Sequence, residues 1–143
     1  HFDGHRKCGV SLSPTEAERL GGICPVCGKK LTMGVDHRVE QLADREEGFV
    51  KEDGRKYESL VPLPEVISAC MGFSTASKKV QGCFEQMLQK LGTEFDILRN
   101  VPAEDIKSCA GERIAEGIEN VRTGHVKRIP GYDGEYGKIE LFD

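Results

Sequence analysis

The sequence predicts an α+β protein: a small metal-clamped module, then a mostly helical domain ending in a β-hairpin. Three observations carry this. Soft ligands recur as two pairs, His5-x2-Cys8 and Cys24-x2-Cys27, with fifteen residues between the pairs. Apolar residues Val80, Cys83, Phe84, Met87, Leu88 and Leu91 repeat at i, i+3, i+4, i+7, i+8 and i+11, the period of an amphipathic helix. The last segment sets short apolar runs, 126–129 and 138–142, on either side of a Pro-, Gly- and Tyr-rich stretch, 130–137.

Ligands two residues apart can wrap one turn of backbone, a knuckle, around one edge of a metal tetrahedron. Two knuckles fill all four positions, which is the arithmetic of a zinc ribbon. A closed shell has no place for water or substrate, so such a zinc is structural. The ribbon is expected over 1–44, with His5, Cys8, Cys24 and Cys27 as ligands of one Zn2+. Residues 9–12 read as a short strand. Ser13-Pro14-Thr15-Glu16 then reads as a helix start: a capping Ser, Pro at the first helical position, and a Glu placed to close a capping box. That helix should stop at Gly21-Gly22. Gly28 gives the second knuckle its backbone freedom, and residues 29–32 leave it as a strand. A second helix is expected from about Val35 to Ala43, with Val35, Val39 and Leu42 on one face and His37 turned outward. The second ring nitrogen of a ligating His5 should donate to a carbonyl or carboxylate, with Asp3 the nearby candidate.

Residues 45–57 are charged and glycine-interrupted, and read as a linker. The helical domain is expected over 58–143. Pro64 should start a short helix through Met71 that ends at Gly72, and Ser74 should cap the long helix that carries the stripe. Phe95, Ile97 and Leu98 fit helix or strand equally. Residues 111–122 form a further helix with Ile114, Ile118 and Val121 inward.

Composition limits the function classes. Residues 1–38 carry six Lys/Arg against four Asp/Glu, and the rest carry fourteen against twenty. Electrostatics alone therefore does not mark a nucleic-acid binder. Two basic dipeptides, Arg6-Lys7 and Lys29-Lys30, adjoin the knuckles; they fit a phosphate-contacting edge or a solvated rim equally well. No apolar run approaches the roughly 20 residues of a membrane span. Cys70, Cys83 and Cys109 fall singly in apolar segments, as free thiols do in a reducing cytoplasm. There is no GxxxxGK[ST], GxGxxG, nucleophile elbow or HExxH, so no active site assembles from a local motif. The chain opens at His1 inside a folded-looking motif, and a preceding region is expected.

The ordered runs HFDGHRKCGVSLSPTEA, CPVCGKKLTMGVDHRVEQLADR, YESLVPLPEVI, SKKV, VPAEDI and GERIAEGIENVRTGHVKRIPGYDGEYGKIELF cover nearly the whole chain. Together they resemble the carboxy-terminal half of PHP-family phosphoesterases, the family that includes endonuclease Q and has relatives linked to UvrD-like helicases. The resemblance implies that an amino-terminal, metal-dependent PHP domain outside this chain hydrolyses phosphodiesters, in endonuclease Q beside deaminated bases. It implies that this chain is non-catalytic and positions DNA, with Arg6, Lys7, Lys29 and Lys30 the candidate phosphate contacts. Many relatives carry cysteine where this chain has His5; the substitution keeps a zinc ligand with one less negative charge. The alternative is an interaction scaffold that docks a PHP domain or a UvrD-like helicase.

Overall fold

The computed structural model describes residues 1–55 and 57–142; Lys56, in the charged linker, and Asp143, at the end of the helical segment, lie outside the described residues. The chain forms two compact units, one of His1–Lys56 with Arg128–Lys138, the other of Tyr57–Lys127 with Ile139–Asp143. The α+β class holds. No helix among the described residues is long and apolar enough to cross a membrane.

The first unit begins with β1 (Asp3–His5), a one-turn 3-10 helix (Arg6–Cys8) and β2 (Val10–Leu12). The strands pair antiparallel in the register Asp3↔Leu12, Gly4↔Ser11, His5↔Val10. Glycine is required at position 4, where a Cβ would sit 2.5 Å from the Val10 carbonyl oxygen and from the Tyr132 ring. Helix α1 (Pro14–Arg19) opens with the expected capping box: Ser13 Oγ accepts from the Glu16 N–H, and Glu16 Oε2 accepts from the Ser13 N–H at 2.8 Å. Residues 29–32 make two isolated bridges, Ile23↔Lys30 and Gly4↔Thr32, in place of a continuous strand. Ala17, Cys24 and Leu31 form a small core beneath these pieces.

Helix α2 (Val35–Leu42) lies the other way round from its apolar pattern. Val35, Val39 and Leu42 do share a face, but that face is exposed, and the helix buries His37. The physical reason is Asp3, whose carboxylate is fully buried. A buried carboxylate needs hydrogen-bond donors far more than three aliphatic side chains need cover. His37 Nδ1, 2.7 Å away, supplies one and the Gly34 N–H, at 2.6 Å, another.

The second unit contains α3 (Leu63–Met71), α4 (Lys78–Leu91), α5 (Glu94–Arg99), α6 (Ala103–Ala110) and α7 (Glu112–Thr123). Its core gathers Leu63, Ile67, Met87, Ile97, Ile106 and Ile118, all fully buried. The stripe on α4 packs inward as its period requires. Its cap is Ser77, which accepts from the Val80 N–H, and not Ser74. Ser74 instead shapes the preceding turn, its carbonyl accepting from the Ser77 N–H at 2.9 Å. The ambiguous Phe95–Leu98 segment is helical: Thr93 caps it, Ile97 and Leu98 are buried, and Phe95 is exposed. Helix α6 escaped the sequence pattern because it buries a single residue, Ile106. Arg122 reaches from α7 to the carbonyls of Ile97, Leu98 and Val101, satisfying acceptors at the end of α5.

Strands β3 (Lys127–Ile129) and β4 (Lys138–Glu140) form the expected two-stranded sheet. Between them, Tyr132 and Glu135 exchange backbone hydrogen bonds around Asp133-Gly134. Both turn residues have positive φ, 41° and 81°, as a two-residue hairpin loop with right-handed twist demands.

Candidate metal centre

The four ligand candidates converge. One ligand atom from each of His5, Cys8, Cys24 and Cys27 lies within 4.8 Å of every other. The backbone that brings them together is built twice on one plan. His5 ends β1, and Cys8 closes the 3-10 turn, whose following residue, Gly9, has φ 64° and donates its N–H to the Arg6 carbonyl. In the second knuckle the Gly28 N–H donates to the Cys24 carbonyl at 2.9 Å, and Gly28 has φ 70°. A Cβ at either glycine would meet nothing within 4 Å, so the left-handed backbone alone selects glycine there.

The donor set fits a borderline-soft divalent metal. Bonds of about 2.0 Å to nitrogen and 2.3 Å to sulfur give tetrahedron edges of about 3.5–3.8 Å for one nitrogen and three sulfurs. Cys27 Sγ and His5 Nδ1 stand 3.3 Å apart. The thiols differ electrostatically. Burial, then hydrogen bonding and charge from Cys27 and Cys24, pushes Cys8 up to about 11. Burial also opposes ionisation of Cys24, but the backbone N–H groups of Cys27 and Val26, with His5 and Cys27, outweigh it and bring Cys24 down to about 6. A divalent cation would resolve the conflict by favouring the thiolate at all three sulfurs.

The groups around this cluster differ from the sequence expectation. Asp3 does not orient His5; it is committed to His37 and Gly34. The carboxylate that comes to the cluster's edge is Asp133, through the Arg6 N–H. The Thr32 hydroxyl, then the Arg6 N–H at 2.6 Å, hold it below its ordinary 3.8 against the effect of burial. Arg6, Lys7, Lys29 and Lys30 are all exposed beside the knuckles. Arg6, however, places Nε 2.5 Å from Glu135 Oε1, so its charge is neutralised locally, whereas among the described residues no ion pair is seen at the three lysines. Asp133 and Glu135 could not have been found from spacing, since they join the cluster from more than a hundred residues away. Asp3 was legible only as a neighbour of His5 in sequence.

Residues 62–125 match the family model of the MJ0043 C-terminal domain. The chain is 34% identical over 143 residues to the uncharacterized protein MJ0043 of Methanocaldococcus jannaschii, covering 99% of this chain and 18% of that protein. It is 30% identical over 118 residues to the uncharacterized protein YqxK of Bacillus subtilis, covering 82% of this chain and 27% of that one. In three dimensions it is similar to the lesion-specific endonuclease Q of Pyrococcus furiosus, with TM-score 0.81, 31% identity, and coverage of 98% of this chain and 34% of that one. It is equally similar to an endonuclease Q in complex with a 27-mer duplex carrying an abasic lesion at the active site, with TM-score 0.82, 30% identity, and coverage of 100% and 35%. The resemblance to endonuclease Q therefore extends to the fold of the whole chain, and the chain spans about a third or less of each of these proteins.

Proposed function

We propose that this chain is the DNA-positioning, non-catalytic part of an endonuclease Q-type protein, with hydrolysis assigned to a PHP domain outside the matched region. The observation that carries the proposal is the match of both units, end to end, to one third of an endonuclease solved on a DNA duplex. His5, Cys8, Cys24 and Cys27 would hold a structural Zn2+: four protein donors close the shell and leave no position at which a substrate could be activated. The zinc's contribution is to folding, because Ala17, Cys24 and Leu31 are too small a core to hold the ribbon together.

Lys7, Lys29 and Lys30 are the phosphate contacts in this reading; Arg6, paired with Glu135, is a weaker one. The test is binding of this chain to duplexes with and without a deaminated base, measured by fluorescence anisotropy across a salt series. Wild type should lose affinity steeply with salt, and the slope should flatten by about 1 for each lysine replaced by alanine. A slope unchanged in the triple variant overturns the assignment of the lysines and favours the scaffold alternative.

A further inference from the structure

The face of α2 that the fold leaves uncovered is chemically unlike the lysine edge. Val35, Val39 and Leu42, at i, i+4 and i+7, are 65%, 59% and 64% exposed. Stripes of this kind are normally buried. At the amino-terminal end of α2 the stripe runs into a hollow of about 350 Å³ whose apolar walls are Phe2, Met33, Val35 and Tyr136. Tyr136 itself is 90% exposed. The charges around this surface are mostly negative. Asp36 and Glu40 follow the stripe along one flank of the helix, and residues 33–47 hold five carboxylates against two arginines; of the carboxylates that line the hollow, Glu135 pairs with Arg6 and Asp133 accepts from the Arg6 N–H.

We infer that this face is a docking surface for a polypeptide segment that presents an apolar ridge flanked by lysine or arginine. The acidic flank repels phosphate and so excludes the nucleic-acid backbone as occupant. It also disfavours a second copy, because pairing α2 with itself would set Asp36 and Glu40 against their own equivalents. A basic amphipathic segment meets both conditions: its aliphatic ridge covers Val35, Val39 and Leu42, and its cations face the carboxylates. The surface is independent of the lysine edge, so the DNA reading and this one can fail separately.

The test is a methyl-NMR titration of the zinc-loaded chain with two synthetic amphipathic helical peptides. Both carry leucines at i, i+4 and i+7; one has lysine flanks and the other glutamate flanks. The lysine peptide should shift the methyls of Met33, Val35, Val39 and Leu42. It should weaken at least about tenfold in Val39→Lys and in Leu42→Lys, both at exposed positions, with the His37 ring resonances unmoved as a fold control. Absence of shifts at these methyls, or equal binding of the glutamate peptide, overturns the inference. A concentration-dependent dimer in sedimentation that Val39→Lys abolishes also overturns it, by making a second copy the occupant.

Discussion

Asp3 Oδ2 stands 2.7 Å from His37 Nδ1, joining two side chains thirty-four positions apart in the interior of the first unit. This contact, more than any apolar one, sets which side of α2 faces in. Asp3 uses its other oxygen to accept from the Gly34 N–H just before the helix, so one carboxylate fixes both the start and the rotation of α2.

Removing one partner should therefore cost more than a surface ion pair would. Asp3→Ala leaves His37 and the Gly34 N–H without an acceptor and is expected to destabilise the first unit by about 3 kcal/mol. His37→Ala should cost a similar amount, and the double variant less than the sum. Urea unfolding followed by first-unit NMR signals measures this; additive costs would show that the pair is not coupled.

Zinc should be present at one per chain and absent in Cys24→Ser, as read by mass spectrometry under native conditions. Stripping it with a high-affinity chelator should abolish the dispersed first-unit resonances and spare most helical circular dichroism, since α3 to α7 have their own core. A metal-free chain that keeps the first-unit resonances would contradict the proposed role of the four ligands.

Position 117 tests the packing of α7. A Cβ there would lie 2.5 Å from Cys70 Sγ. Gly117→Ala should gain helix propensity yet lose about 1–3 kcal/mol overall through overpacking. Adding Cys70→Ala removes the obstructing sulfur and should recover most of that loss in thermal melts. Failure of the second substitution to rescue the first would place the strain elsewhere.

Acid should act on α5 through its cap. The Thr93 hydroxyl, then Asn100, hold Asp96 below its ordinary 3.8 against a small opposing effect of burial. The folded value is thus the lower one. The associated stability is present above the unfolded value and is lost as pH falls through the folded one. Thr93→Ala should move the Asp96 titration, followed by carboxyl NMR, upward toward 3.8; a shift downward would reverse the assignment.

The second unit was legible where burial follows a single period. The stripe from Val80 to Leu91 and the inward trio Ile114, Ile118 and Val121 depend only on local spacing. Helix α6 was not, because Ile106 is its one buried residue and a single apolar position has no period. In the ribbon, the four ligands were legible because knuckle geometry is short-range. The orientation of α2 was not, because a buried carboxylate outvoted an apolar pattern. The link of Asp133 and Glu135 to the ribbon was hidden for a related reason: nothing near them in sequence records that Arg6 is their partner.

That last contact has a consequence for the order of events during synthesis. The Arg6 N–H and Asp133 Oδ2 are separated by 127 positions, and residues 128–138 belong to the same compact unit as residue 1. Most domains made from the amino terminus can finish folding while later residues are still being added. Here the metal-binding segment is made well before residues 128–138, yet it lacks its last backbone partners until they too have left the ribosome. A truncation after residue 126 would thus strip Leu141 from the helical core and also do damage more than a hundred positions away, beside Arg6.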